Sequence, residues 1–361
     1  MHRNANEAKI DQFCCQVIPN WLLNNQSNIK EHFGIMEDVM GSRVQNLEKQ
    51  QHLGMVSEKP KLVWFNVFGF AILHLIWLYS CYIIMTGKCY LVTTIYTIAA
   101  GTLIAGIGIT LGAHRLWSHR SYKAKLPLKL FLLYGQTMAG QNSLWTWVRD
   151  HRAHHKFSDT DADPHNSNRG FFFSHMGWLM MKKHPEVLRK GKLIDMSDLD
   201  ADPLIMFQKK YYTPLHLVIA FAIPVAVPYL LWNESLWYSV LVAYVFRMVV
   251  HLNLTWTVNS FAHMYGNKPY EKEIIAAQNP YVAFFALGEG WHNFHHAFPW
   301  DCNTSEFGQH FNLSSRILSI FAYLGLAYDL KIVTKEMVMH RVMKHGDGSH
   351  SLSMKSEKLI K

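Results

Sequence analysis

The chain has 361 residues, half of them apolar and only 17% charged, with a net charge of +9 when histidine is counted neutral. Average soluble chains carry about 25% Asp, Glu, Lys and Arg, so this composition argues against intrinsic disorder and towards a membrane protein. Five cysteines (Cys14, Cys15, Cys81, Cys89 and Cys302) form an odd, scattered set without metal-knuckle spacing, which argues against a disulfide scaffold and favours a reducing, cytosol-facing environment. In chain order, residues 1–60 are polar, show no cleavable signal pattern and read as a cytosolic segment. Two spans are expected at about 62–85 and 90–113, each long enough for the roughly 20 helical residues a bilayer requires. Thr86-Gly87-Lys88-Cys89 joins them, and so short a connection forces an antiparallel hairpin. A basic segment of about 114–213 follows, with two apolar pieces, 126–140 and 171–181, too short to cross and suited to an interface or a cap. A second hairpin is expected from spans at 214–232 and 235–258 joined by Asn233-Glu234, with Arg247 its exceptional charge. Residues 313–328 resemble the shorter apolar pieces, and 336–361 reads as a polar, disordered tail, leaving 61–335 as the main domain.

Basic residues set the orientation. The segment between the hairpins is rich in Lys and Arg, whereas the two short loops hold only Lys88. The positive-inside rule then places both termini and the long segment in the cytosol. No basic-aromatic nucleic acid motif is visible, so the positive balance reads as orientation and attraction to anionic headgroups. The expected fold is all-α and integral to the membrane: four transmembrane helices in two hairpins, beneath a cytosolic helical cap.

Histidine is the unusual residue, with 22 in the chain. Three clusters stand out: His114 and His119; His151, His154 and His155; and His292, His295 and His296. The last two share the pattern His-x-x-His-His, which chance would produce roughly 0.08 times at this frequency. Positions i, i+3 and i+4 share one face of a helix, so three imidazoles can converge on one region. Imidazole suits Zn, Cu, Fe and Ni, and eight such groups exceed what one tetrahedral metal accepts, which favours two metals. His263 follows the fourth span at the same membrane level as His114. His74, His165, His175, His184, His216 and His251 read as ordinary polar residues, with His74 and His251 placed to hydrogen-bond between helices. Asp150 and Glu289 stand close enough to the clusters to fix imidazole orientation or to serve as ordinary ion-pair partners. The paired Glu-x-x-His pattern of soluble di-iron bundles and the His-Glu-x-x-His of zinc proteases are both missing.

At these residues the sequence resembles the membrane acyl-CoA desaturases of the stearoyl-CoA desaturase type, the insect members most closely. The resemblance covers about 60–335 and rests on His114-x-x-x-x-His119, His151-x-x-His154-His155 and His292-x-x-His295-His296. Flanks match as well: Trp147-Val148-Arg149-Asp150, the run Asp159-Thr160-Asp161-Ala162-Asp163-Pro164-His165, and Gly170-Phe171-Phe172-Phe173-Ser174-His175. It implies that His263 is a ninth ligand beside the eight clustered histidines, that two Fe2+ ions are held, and that Asn259 reaches one through water. It also implies acyl-CoA contacts at Asn66, Asn142, Arg149, Asp150, Lys182, Lys183 and Trp256, with Thr102 and Gly106 near the far end of the chain. Lys182 stands where vertebrate members commonly have arginine, keeping the charge but not the forked geometry. The cationic members of the set are natural partners for CoA phosphates.

The implied reaction inserts a cis double bond into a saturated fatty acyl-CoA, at delta-9 or another position such as delta-11. It uses dioxygen and two electrons from cytochrome b5, itself reduced by an NADH-dependent reductase, at the endoplasmic reticulum membrane. A methylene offers nothing polar to recognise, so a bent apolar tunnel must place two adjacent carbons by the metals. A hydroxylase or acetylenase on the same scaffold is one alternative. A histidine-rich metal transporter is another, though it should carry ionisable residues along several spans.

Overall fold

The computed structural model describes residues 61–306 and 308–353 of the 361. The expected cytosolic segment 1–60, with Cys14 and Cys15, lies outside the described residues, as does the end of the tail from 354. Among the described residues four helices are long and apolar enough to cross a membrane: α1 (Trp64–Met85), α2 (Leu91–Ser118), α5 (Tyr212–Leu231) and α6 (Leu236–Met264). Between and after them lie α3 (Leu126–Ala139), α4 (Leu144–Phe157), α7 (His292–Ala297), α8 (Leu313–Tyr323) and α9 (Lys335–His345). The strands β1 (Lys123–Ala124) and β2 (Ala327–Tyr328) form an antiparallel pair.

The spans are not equivalent. Only 11% of the apolar window of α1 and 22% of that of α5 is buried within the protein, against 53% for α2 and 50% for α6. The first pair therefore presents most of its apolar surface to lipid, and the second pair forms the inner wall. Glu234 ties the two hairpin turns together. Its buried carboxylate accepts hydrogen bonds from Tyr90 N, Thr93 Oγ1 and Ser235 N, and Trp232 Nε1 donates to the same threonine.

At the other end α2 and α6 run past the expected limits of 113 and 258, to Ser118 and Met264. Hydropathy marks where the lipid-facing stretch ends, whereas the helices continue because the cap buries their last turns. Helix α3 makes that cap possible through a close crossing. A Cβ on Gly108 of α2 would overlap the Gly135 backbone of α3, and one on Gly135 would overlap Ile104 O. Ser143 caps α4 by accepting from Thr146 N, and Asn312 caps α8 by accepting from Ser315 N.

Two expectations need correction. The tail after 335 is not without structure: Val338 and Val342, one helical turn apart in α9, pack against Tyr270, Phe294 and Phe298. Arg341 Nη2 donates to Glu271 Oε2 at 2.7 Å and fixes the same helix. The polar composition concealed an apolar stripe of two residues. Of the two span histidines, His74 does bond between helices, accepting from Asn253 Nδ2 at 3.3 Å, but His251 does not; its Nε2 is buried without a partner among the described residues.

Candidate metal centre

The clustered histidines, with His263, assemble at the joint between the inner spans and the cap. His114, His119, His151, His155 and His295 form one group, and His154, His263, His292 and His296 the other. Within each group the ligand-capable atoms all lie within 4.8 Å of one another. The stacked rings of His155 and His296, with centroids 4.3 Å apart, join the two groups.

Local backbone geometry decides which imidazole goes where. Successive helical residues are about 100° apart, so i and i+4 differ by about 40° while i+3 points elsewhere. On α4, His151 and His155 accordingly enter the first group and His154 the second. On α7, His292 and His296 enter the second group and His295 the first. Each triplet helix thus lies between the groups and serves both, rather than directing three rings to one point. His114 and His119 are five apart, a spacing that diverges on an ordinary α-helix. Here α2 ends in π-type winding over Gly108–Ser118, and His119 N donates to His114 O at 3.1 Å, five residues back. The ring centroids consequently lie 4.9 Å apart.

The Nε2 atoms face one another. Separations are 2.9 Å for His114–His295, 2.8 Å for His119–His151 and 2.9 Å for His155–His295 in the first group. In the second they are 3.0 Å for His263–His292 and 3.1 Å for His292–His296. Three carboxylates turn rings from behind. His114 Nδ1 donates to Glu289 Oε2 at 2.8 Å, His154 Nδ1 to Asp163 Oδ2 at 2.9 Å, and His263 Nδ1 to Asp159 Oδ2 at 3.2 Å. A proton held on Nδ1 leaves the Nε2 lone pair directed at the group.

Electrostatics act the same way. Burial, with the neighbouring histidines, holds His119, His151, His155, His292, His295 and His296 well below the ordinary histidine range, so these rings stay neutral. Burial opposes charge on His154 too, but the Asp163 carboxylate outweighs it and raises the pKa. Burial would raise Glu289; His114 and Arg115 outweigh it and lower it. Opposed neutral lone pairs at about 3 Å repel unless a cation lies between them, and an all-imidazole donor set fits a first-row transition metal. The residues fit a pair of metal ions.

One cavity is lined by His151 of the first group, and a second, reaching Glu289, shares Thr255 with it. The larger, about 360 Å³, is lined by Asn66, Asn142, Asp150, Trp256 and Asn259 together with Trp147, His151 and His165. The smaller, about 110 Å³ and mostly apolar, lies among residues of α2 and α6, including Gly106. Thr255 lines both, and its Oγ1 accepts from Gln141 Nε2 at 2.7 Å, while Gln141 Oε1 accepts from Trp147 Nε1 at 3.1 Å.

Most of the remaining sequence-derived residues gather here. Asp150 orients no imidazole: Oδ1 accepts from Arg149 at 2.7 Å and Oδ2 from Lys183 at 2.6 Å, forming a charged rim. Lys182 is exposed beside that rim. The side chain of Thr102 lies outside the described residues. Of the two acids proposed to orient histidines, Glu289 does so and Asp150 does not. Sequence reasoning missed Asp159 and Asp163 in this role, although their aspartate-rich run was noted as a matching flank. It also passed over His165, which packs edge-on against His154 at 5.1 Å and faces Asp163. The available signal was a set of acids ten or fewer residues beyond a histidine triplet.

The family model for fatty acid desaturases matches residues 89–318. An acyl-CoA Delta-9 desaturase of Acheta domesticus is 52% identical over 295 residues, covering 81% of this chain and 82% of that protein. Stearoyl-CoA desaturase 5 of Bos taurus is 49% identical over 296 residues, covering 82% of this chain and 88% of its own length. An acyl-CoA Delta12-desaturase of Acheta domesticus is 49% identical over 323 residues, covering 88% and 89% respectively.

Proposed function

Because the chain belongs to the fatty acid desaturase family, we propose that it is a multi-pass membrane acyl-CoA desaturase that places a cis double bond at delta-9 of a saturated fatty acyl-CoA. The observation that carries this reading is the pair of imidazole groups set beside a cavity with a charged rim, which adjoins a second, mostly apolar one. Membership in this family favours neither a transporter nor a hydroxylase or acetylenase.

The nine histidines are the proposed ligands of two irons, and Asn259, lining the larger cavity near His151, approaches one through water. Bound iron supplies the redox chemistry with dioxygen that an unactivated methylene demands. The chain's own residues supply placement. Glu289, Asp163 and Asp159 keep a proton on Nδ1 of their histidines, so that Nε2 stays a donor atom. Arg149, Lys182 and Lys183 offer counter-charge to CoA phosphates at the rim, and Asp150 holds two of them in position. Asn66, Asn142 and Trp256 line the first part of the passage. The bend belongs at Thr255, where the cavities meet and where Gln141 and Trp147 brace the hydroxyl. The tail then enters the smaller cavity, with Thr102 and Gly106 towards its end. The mostly apolar lining of the smaller cavity holds the tail so that one pair of carbons faces the metals.

The same reading places the protein in the endoplasmic reticulum membrane with its cap and both termini in the cytosol. Cytochrome b5 and its NADH-dependent reductase are the proposed electron source, and the basic cap suits an acidic carrier. Expression in a desaturase-deficient yeast, followed by location of double bonds in its fatty acids, tests the proposal. New delta-9 monoenes are expected; growth without any new double bond, or hydroxylated or acetylenic products instead, refutes it.

A further inference from the structure

The smaller cavity has six residues with polar side chains: Thr97, Thr110, Arg247, His251, Thr255 and Glu289. Four are engaged by the protein itself. Arg247 donates to three carbonyls, those of Ala243 at 3.0 Å, Met138 at 2.9 Å and Ala220 at 2.6 Å. Thr110 Oγ1 accepts from Ser314 Oγ at 3.0 Å. Thr255 Oγ1 accepts from Gln141 and donates to His251 O at 3.1 Å. Glu289 holds His114 and Arg115.

The other two are not engaged. Thr97 Oγ1 and His251 Nε2 are buried polar atoms without a hydrogen-bond partner among the described residues. The two residues are 2% and 8% exposed, and they come from α2 and α6, the inner spans that line this cavity. Folded proteins seldom leave such groups unpaired, because each loses its water without compensation. A plain methylene tail entering the cavity would leave both unpaired. A double bond already in the tail offers only a weak π acceptor. A hydroxyl group both donates and accepts, as does the threonine, while a neutral imidazole supplies one donor and one acceptor nitrogen. The chemistry that completes this cavity is therefore an alcohol set in an otherwise apolar chain.

We propose that the cavity accepts the tail half of an acyl chain bearing a hydroxyl group, so that hydroxylated fatty acyl-CoAs are substrates of this protein. The proposal rests on the desaturase reading and names a substrate class for it. Thr97 and His251 are the specificity-determining residues, acting on the tail rather than at the reacting carbons.

The test compares stearoyl-CoA with octadecanoyl-CoAs carrying one hydroxyl at successive carbons of the tail half. Each is offered in competition to the full-length protein in membranes and to its His251→Val and Thr97→Val variants. The readout is the ratio of kcat/KM for each hydroxylated chain to that for stearoyl-CoA, which is independent of how much protein folds. At the matching carbon, each variant should lower this ratio about tenfold, the worth of roughly one buried hydrogen bond. A ratio identical in the original chain and both variants at every hydroxyl position overturns the proposal, and is the result expected if water or plain hydrocarbon fills the cavity. Failure of the unaltered protein to desaturate stearoyl-CoA would instead overturn the desaturase reading, and this proposal with it.

Discussion

Asp163→Asn separates the two histidine groups more cleanly than any other single change. Asp163 is 2% exposed; its Oδ2 accepts from His154 Nδ1 at 2.9 Å and Asp159 N at 2.8 Å, and its Oδ1 accepts from His165 N at 3.0 Å. Asparagine keeps the size but turns one acceptor into a donor, so in either amide orientation at least one facing N–H loses its partner. His154 is then no longer held with its proton on Nδ1. Loss of such an outer carboxylate typically costs about 10–100-fold in metal affinity, or about 1.4–2.7 kcal/mol. The comparison variant is Glu289→Gln, whose carboxylate also neutralises the fully buried Arg115. Removing one partner of a buried ion pair costs about 3–5 kcal/mol, so that variant should lose thermal stability as well as metal. Purified protein equilibrated against a graded series of chelator, with metal measured per chain, reads the first effect; thermal unfolding of the metal-stripped chain reads the second. Asp163→Asn should release one of two metals at lower chelator concentration, with a smaller loss of stability than Glu289→Gln because it leaves an unpaired N–H rather than an unpaired buried charge. Equal retention of both metals by Asp163→Asn would refute the assignment of Asp163 as the carboxylate that orients His154.

Replacing His154 with Ala should abolish product formation while the chain still inserts into membranes, and normal turnover would contradict its role as a ligand. Gly106→Trp should shift products towards shorter acyl chains, because even a Cβ there would lie 2.8 Å from Leu287 Cδ1 and the indole must occupy the small cavity; an unchanged chain-length profile would refute the placement of the acyl end. Lys183→Ala should raise KM for acyl-CoA about tenfold at low salt with kcat retained, and the difference should shrink as ionic strength rises. The metal-stripped chain should lose stability as pH falls below about 6.5: six buried histidines have lowered pKa values, so the unfolded chain binds more protons there and unfolding becomes easier. His154, with its raised value, opposes this trend singly. A melting temperature that is flat or rising between pH 8 and pH 5 would contradict the neutral, buried state of these rings.

The spans were legible because twenty apolar residues in a row leave few other arrangements, and the short turns fixed their pairing. Their ends were not, since the last turns of α2 and α6 exchange lipid for protein and hydropathy records only the former. The nine histidines were legible from spacing and resemblance. Their distribution between groups was not, because it depends on where each helix axis lies relative to the two sites. The closeness of His114 and His119 was hidden as well: it follows from a π-type hydrogen bond, and no residue type in Gly112-Ala113-His114-Arg115 announces one. Asp159 and Asp163 stood in plain view, yet sequence distance to the histidines could not rank them above Asp150, which turned towards Arg149 and Lys183.

The divided allegiance of α4 and α7 has a mechanical consequence. Helix α4 gives two imidazoles to the first group and one to the second, and α7 gives one to the first and two to the second. Displacing either helix therefore moves rings in both groups at once. Behind α7, Phe294 packs on Val338 and Val342 of α9, and Asn293 accepts from Tyr270 N and Glu271 N while donating to Ala276 O. The loop before α7 supplies Glu289 to the first group, and the loop after α4 supplies Asp159 and Asp163 to the second. Backbone changes should thus disable the two groups together. A side-chain change at or behind one ring, such as Asp163→Asn, can disturb one group and spare the other.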